Sequence, residues 1–248
     1  MLEEQTIHQL KELRLHGMVQ AAERLQESVE LQTLPVFEVF AFLIEAERHY
    51  REENRLKRFK REAKLKFSDA CLENIKYNDG RGIDKAQIRA LSNCRWVVNN
   101  QHLIILGATG AGKTYLANAF ANQAIHLKHK VVYKRVSRLL EEMKAASAVG
   151  ELPEFRLKLS KIPVLILDDW GLGPINALDR QHLLEVLEDK TGSGAVIITS
   201  QLPIAEWHNW LNDPTLADAI LDRLVHRAHT IKLKGESMRK VLGLNEEK

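Results

Sequence analysis

Cysteine is almost missing from this chain: its 248 residues carry two, Cys71 and Cys94, and their spacing is not that of a C-x-x-C metal clasp. Neither a disulfide framework nor a cysteine-built zinc site is implied, and a reducing compartment fits such usage. Long apolar runs are missing too, since none approaches the roughly 20 residues that a membrane-spanning helix needs. Met1-Leu-Glu-Glu-Gln lacks the basic start and apolar stretch of a secretory signal, so the cytoplasm is the expected location. Proline and glycine are absent between Val36 and Lys66, which leaves nothing there to break a helix. No Asn-Lys-x-Asp stretch follows a late strand. A guanine-specific site, which needs that stretch, is thereby disfavoured.

What is present is an ordinary globular composition, 45% hydrophobic and 28% charged, with its charge unevenly placed. From Arg51 to Lys66 eight Lys or Arg stand against three Glu, a local net of +5, although the whole chain carries only +3. Leu10, Leu13, Met18, Ala21, Ala22 and Leu25 recur at helical spacing. Pro35 interrupts, and Phe37, Phe40, Leu43, Ile44 and Glu47 restart the pattern near Val36. Residues 1–66 are therefore expected to form a small all-helical domain, basic at its end, whose amphipathic faces pack on each other or on a partner. Residues 67–100 read as a linker. In it Asn78-Asp79-Gly80-Arg81-Gly82 signals a turn, and Asp84 is placed to cap a short helix through Leu91.

From residue 101 the pattern changes to strand, helix, strand, helix. Short apolar runs fall at Leu103–Leu106, Val131–Tyr133, Val164–Leu167, Val196–Ile198 and His229–Leu233, most of them separated by helical segments. Such alternation predicts an α/β domain over 101–248, with a mainly parallel five-stranded sheet covered by helices on both faces.

Between the first strand and its helix lies Gly107-Ala108-Thr109-Gly110-Ala111-Gly112-Lys113-Thr114, a full match to G-x-x-x-x-G-K-[ST]. Glycines let the backbone wrap closely, so that successive N–H groups point at phosphate oxygens, and the helix N-terminus adds a favourable dipole. Lys113 would bridge the β- and γ-phosphates of ATP, and Thr114 would offer its hydroxyl to Mg2+. The run Ile162-Pro-Val-Leu-Ile-Leu-Asp168-Asp169 supplies the acidic pair at a strand end, where ligands of such sheets gather. Asp168 would hold magnesium, and Asp169 would polarise the attacking water as general base.

Ser200 and Gln201, closing the strand from Ala195, are candidates for holding that water near the γ-phosphate. Arg223, in the amphipathic stretch Leu216–Arg227, is suited to reach a γ-phosphate on a neighbouring copy, and its alternative is a surface pair with Asp218 or Asp222. Arg239, in Gly235-Glu-Ser237-Met-Arg239, is a further candidate for phosphate contact. For the basic stretch, with Arg55, Lys57, Arg58 and Lys60, three readings stand: a solvated helix face, contact with nucleic acid, and docking on an acidic protein. Tyr133-Lys134-Arg135 forms a second cluster that could meet a nucleic-acid backbone, or equally be a sheet edge and a helix start.

With these residues in view the chain resembles the IstB-type transposition helper ATPases, relatives of the helicase loader DnaC and the initiator DnaA in the AAA+ class. The resemblance rests on Leu13-Arg-Leu-His-Gly-Met18 with Glu45-Ala-Glu47-x3-Arg51-Glu-Glu-Asn-Arg55 in the helical domain, and on Ala63-Lys64-Leu65, Asp79-Gly-Arg81-Gly82 and Ile88 in the linker. It continues through Gly107–Thr114, Leu165–Asp169, Leu221-Asp-Arg223-Leu and the Gly235–Arg239 ending. It implies a minimal AAA+ P-loop core lacking a full helical lid. It further implies a homo-oligomer that assembles on duplex DNA when ATP is bound, with each ATP site completed by Arg223 of a neighbour. The assembly would recruit a transposase, whose stimulation of hydrolysis would promote disassembly.

A DnaC-like helicase loader, a small-molecule kinase and a binding module with structural nucleotide are the competing readings. The nucleic-acid reading of the basic stretch carries a direct expectation. Neutralising Arg55, Lys57, Arg58 and Lys60 together should weaken DNA binding and flatten its salt dependence by up to roughly 0.9 log units per lost phosphate contact. An unchanged slope in a salt titration would return the stretch to a solvated face.

Overall fold

The computed structural model describes residues 2–77 and 79–235. Two compact units make up the chain, Met1–Phe59 and Lys60–Lys248. The first holds the helices α1 (Leu2–Glu12), α2 (His16–Glu27), α3 (Val29–Gln32) and most of α4 (Val36–Ala63). Pro35 precedes α4 as expected, and the uninterrupted stretch forms a single helix of 28 residues.

The N-terminus of α2 shows why the Gly17 and Glu47 signature matters. Leu15, its N-cap, supplies no side-chain bond. The carboxylate of Glu47 on α4 takes over, accepting from Gly17 N at 2.7 Å and Met18 N at 3.2 Å. Arg51 Nε donates to the same carboxylate at 2.6 Å. Burial raises the Glu47 pKa, but Arg51 and the two backbone donors outweigh it, so the group is held below its ordinary value. Gly17 is required by closeness, because a Cβ there would sit 2.5 Å from Ala46 O.

The second unit opens with α5 (Lys85–Leu91) and α6 (Arg95–Val98). It continues through β1 (His102–Gly107), α7 (Lys113–His126), β2 (Val131–Arg135), α8 (Val136–Ala148), α9 (Leu152–Ser160) and β3 (Val164–Trp170). Then come α10 (Ala177–Lys190), β4 (Ala195–Ser200), α11 (Ile204–Leu211), α12 (Pro214–Val225) and β5 (Ala228–Leu233). The five strands form one sheet in the order β2-β3-β4-β1-β5. Every neighbouring pair is parallel, so the expected parallel five-stranded sheet is present. Its central strands are apolar on both faces, with Leu103, Ile104, Ile105, Val196, Ile197 and Ile198 without solvent exposure. That is the pattern of a sheet covered by helices on each side.

Helix starts follow their local chemistry. Asp84 caps α5 by accepting from Ala86 N at 2.8 Å, as the sequence predicts. Asn176 and Asp179 form a reciprocal capping box on α10. The segment before the sheet is not a free spacer, however. Asn118 and Asn122 of α7 clasp it through Phe67 N, Ser68 O and Ala70 O, while Gln87 bonds Thr230 O of β5. Apolar residues spaced through it, among them Ala70, Leu72, Ile75 and Ile88, are buried, and that burial holds it to the domain.

At the N-terminal ends of the strands His102 is buried, with Nδ1 accepting from Val196 N at 3.1 Å. Burial lowers its pKa from 6.5 to about 4. Between those values the unfolded chain binds the proton and the folded chain does not, so stability is lost as pH falls. The loss should be on the order of 3 kcal/mol. His102→Asn keeps an acceptor for Val196 N–H without titrating. Urea unfolding from pH 7 to pH 4 should therefore fall more steeply in the wild type than in the variant, and parallel profiles would show that His102 is not the titrating group.

Candidate nucleotide site

The strand β1 ends at Gly107, and α7 begins six residues later at Lys113. Gly112, the N-cap of α7, has φ 95°, a left-handed conformation that favours glycine. Lys113 is buried, and its Nζ donates to Ala108 O at 2.9 Å. Burial lowers its pKa, while Asp169 and Asp168 pull the other way.

Thr114 Oγ1 donates to Asp168 Oδ1 at 2.9 Å, which ties the start of α7 to the end of β3. Asp168 has no solvent exposure. Two more hydroxyls serve it: Thr199 at 2.5 Å on Oδ1 and Tyr133 at 2.6 Å on Oδ2. Burial and the neighbouring Asp168 push the Tyr133 phenol up, so it stays a donor at neutral pH. Between Leu167 and Trp170 the β3–β4 register shifts by one residue, and Asp169 takes φ 61°. A bulge of this kind re-aims side chains. Asp168 faces inward, Asp169 faces the cavity, and Asp169 N donates to Thr199 Oγ1 at 3.1 Å.

The two candidates at the end of β4 separate. Ser200 is fully buried; it donates to Trp170 O at 2.8 Å and accepts from Leu202 N at 3.1 Å. Its hydroxyl is spent on the turn that follows, so it is not at the phosphate site. Gln201 lines the cavity and accepts from Thr109 Oγ1 of the phosphate loop at 2.7 Å. Thr199, which sequence reasoning passed over, is the third member of the Asp168 cluster. Its one signal was a hydroxyl inside an apolar strand.

Tyr133, Lys134 and Arg135 also leave their expected place. Tyr133 is bound to Asp168, and Lys134 pairs with Glu142 of α8. Arg135 lines the cavity with Nε 3.8 Å from Asp169. Because β2 neighbours β3, its end brings Tyr133 to Asp168 and Arg135 to the cavity, while Lys134 turns to α8. Arg55, Lys57, Arg58 and Lys60 on α4 are exposed. Arg55 and Arg58 lie over the Phe59 ring at 5.2 and 5.8 Å, and Lys57 pairs with Glu53. Arg239 lies outside the described residues.

The cavity, about 550 Å³, has a second wall that the sequence did not disclose. The supposed linker contributes Phe67, Ile75 and Ile83, which face Tyr115, Leu116 and Leu233. Phe67 and Tyr115 rings lie 6.0 Å apart. Such an apolar slot suits a nucleobase beside the charged phosphate side. Arg223 is not among the lining residues. It bonds Ala219 O and Glu188 near the end of α12, where the chain turns into β5. The phosphate loop is at the other end of the sheet, a strand length or roughly 20 Å away.

The residues fit ATP and magnesium. One hydroxyl and one buried carboxylate make an all-oxygen donor set, which suits a hard cation. The cavity couples an apolar slot to Lys113 and a helix N-terminus. Fold and site together define a nucleotide-binding protein of the AAA+ P-loop class. Its fold is similar to those of solved structures titled DnaI (TM-score 0.57, 23% identity, 67% of this chain and 92% of that one) and the DnaC helicase loader (TM-score 0.52, 21% identity, 67% and 97%). The family model for IstB-like ATP binding proteins matches residues 8–244, and the chain belongs to that family. A Sinorhizobium fredii protein named as an insertion sequence ATP-binding protein is 40% identical over 240 residues, covering 97% of this chain and 98% of its own. Among the described residues, no helix is long and apolar enough to cross a membrane.

The split between Ser200 and Gln201 is testable by kinetics. Gln201→Ala should lower kcat for ATP hydrolysis by about tenfold or more while ADP affinity changes little. Ser200→Ala should reduce the melting temperature with a smaller effect on kcat. The reverse ranking would put Ser200 at the phosphate.

Proposed function

We propose that the chain hydrolyses ATP in a site shared between two copies, assembles on duplex DNA in its ATP-bound state and recruits a transposase, with hydrolysis releasing the assembly. The placement of Asp169 carries the hydrolytic reading. The β3 bulge holds its carboxylate at the cavity, beside the phosphate loop and one residue from the buried Asp168.

Thr114 and Asp168 are the residues that would hold magnesium, whose chemistry there is to neutralise phosphate charge. Lys113 leaves Ala108 O to meet the phosphates and stabilises charge that grows on them in the transition state. Asp169 accepts the proton of the attacking water at its carboxylate. Gln201, already bonded to Thr109, orients that water. No cation from α12 reaches the same chain's cavity, and Arg223 lies at the far end of the sheet. A second copy docked end to end would bring its own Arg223 to the phosphates, after exchanging the Glu188 pair for them. The exposed cations on α4 suit a DNA backbone, and the insertion-sequence name of the relative supports a transposase as partner.

Lys113→Ala should abolish DNA-stimulated ATP hydrolysis, and Arg223→Ala should lower it by about 10³. Mixing the two inactive variants should restore turnover, since some interfaces then pair an intact Lys113 with an intact Arg223. A mixture as inactive as its components would sink the shared site. Hydrolysis unchanged in Lys113→Ala would sink the site assignment altogether.

A further inference from the structure

Arg81 lies in the short 3-10 turn Asp79–Arg81 ahead of the sheet, yet its guanidinium reaches the phosphate loop. Nη2 donates to Ala111 O at 2.9 Å, and Nη1 donates to Lys76 O at 3.1 Å. The backbone carbonyl of Arg81 accepts from Lys234 N at 2.8 Å, just past β5. One residue therefore joins three stretches of chain around the cavity that it lines. The loop is shaped to admit it: a Cβ at Gly112 would lie 3.1 Å from Nη2.

Among the described residues the guanidinium has no counter-charge. Both of its partners are neutral carbonyls, and among the described residues it has no ion pair with a carboxylate. Burial lowers its pKa, as expected for a partly desolvated cation whose partners here are dipoles and not charges. Two other arginines of the same unit are matched by carboxylates. Arg156 is matched by Asp189 and Glu185, and Arg223 by Glu188. Two carbonyl bonds leave donors on the planar fork free for an anion. A neutral amide would suffice to brace Ala111 O. A permanently charged group held at the edge of a phosphate site has a further use.

We propose that Arg81 binds the nucleotide's diphosphate within its own chain, so that the bound nucleotide fixes residues 76–83 as the wall of its pocket. The proposal rests on the ATP-site reading above. Lys113 approaches the phosphates from the loop, and Arg81 approaches from the segment that carries Ile75 and Ile83. ADP would then order that segment, whereas adenosine, which lacks phosphate, would not. Arg81 is a ligand-binding residue here and takes no part in proton transfer.

The test compares ADP and adenosine on wild type, Arg81→Gln and Lys113→Ala by direct binding titration. Arg81→Gln retains a donor for Ala111 O and removes the charge. It should weaken ADP binding by about 10- to 100-fold, the range expected for charge-assisted bonds to an anion, and leave adenosine binding unchanged. The salt dependence of ADP affinity should fall with it. Equal affinity of wild type and Arg81→Gln for ADP, or an equal loss for adenosine, would overturn the proposal. Hydrogen exchange on the wild type needs no variant. ADP should slow exchange across residues 76–83 and adenosine should not, and equal protection by both would also overturn it. A wild type that binds ADP through Lys113 while Arg81→Gln stays unaffected leaves the ATP site standing and removes only Arg81. A wild type that binds no ADP removes both.

Discussion

One buried carboxylate organises the parallel-sheet unit of this protein. Asp168 has no solvent exposure, and a carboxylate in that position is costly unless its oxygens are satisfied. Three hydroxyls satisfy it, and each comes from a different element: Tyr133 of β2, Thr199 of β4 and Thr114 of α7. Only a sheet in which β3 lies between β2 and β4 can bring the first two together. Parallel strands put their C-terminal ends side by side, so the three groups converge without a long loop. The bulge after Leu167 then takes Asp169 out of the regular ladder with β4. It keeps Asp168 inward and leaves Asp169, at φ 61°, open to the cavity. Strain at that residue is the cost of having two adjacent carboxylates in two different environments.

The same parallel sheet has two unlike ends. Phosphate groups are served at the C-terminal end, while Arg223 and the buried His102 sit at the N-terminal end. In the proposed assembly this polarity favours a head-to-tail contact over a two-fold one. A two-fold dimer would bring like ends together and leave each cavity without the other's Arg223. Head-to-tail contacts close into rings or continue as helices, and either arrangement repeats the shared site at every interface. The Arg223 pair with Glu188, whose side chain is 60% exposed, is a surface ion pair of small worth. Exchanging it for a triphosphate costs little.

The phosphate loop, the five strands and the Asp84 cap were legible because each is local. A glycine-rich turn between an apolar strand and a helix declares its geometry in eight residues, and apolar runs of strand length alternate with helical periods. Asp168 and Asp169 were legible as a pair, but the bulge that distinguishes their roles was not, since no residue type marks it. Ser200 and Gln201 were not distinguishable because strand-end polarity looks the same for a hydroxyl that caps a turn and a side chain that meets a ligand. Ser200 turns back to Trp170 O, and Gln201 projects to Thr109. Tyr133 and Arg135 looked like a surface cluster because sequence does not say which strand lies beside β2. Once β3 is its neighbour, both belong to the nucleotide side.

The segment before the sheet shows the limit most clearly. Turn signals and loss of periodicity marked residues 67–100 as a connection, and by local structure they are one. Yet Phe67, Ile75 and Ile83 complete the apolar slot, and Asn118 and Asn122 bind its backbone to α7. In the proposed site nucleotide would be gripped by two pieces of chain built in different ways. The sheet side is anchored by its strands and by Asp168. The other side is irregular, held by side-chain bonds and a few buried apolar residues, and such elements open at lower free energy than core strands. Ligand binding stabilises most the states it completes, so in the proposed site nucleotide energy would go preferentially into ordering this wall. Lys66 lines the cavity only three residues after α4 ends at Ala63. The basic stretch from Arg51 to Lys66 thus ends with its last residue at the nucleotide cavity.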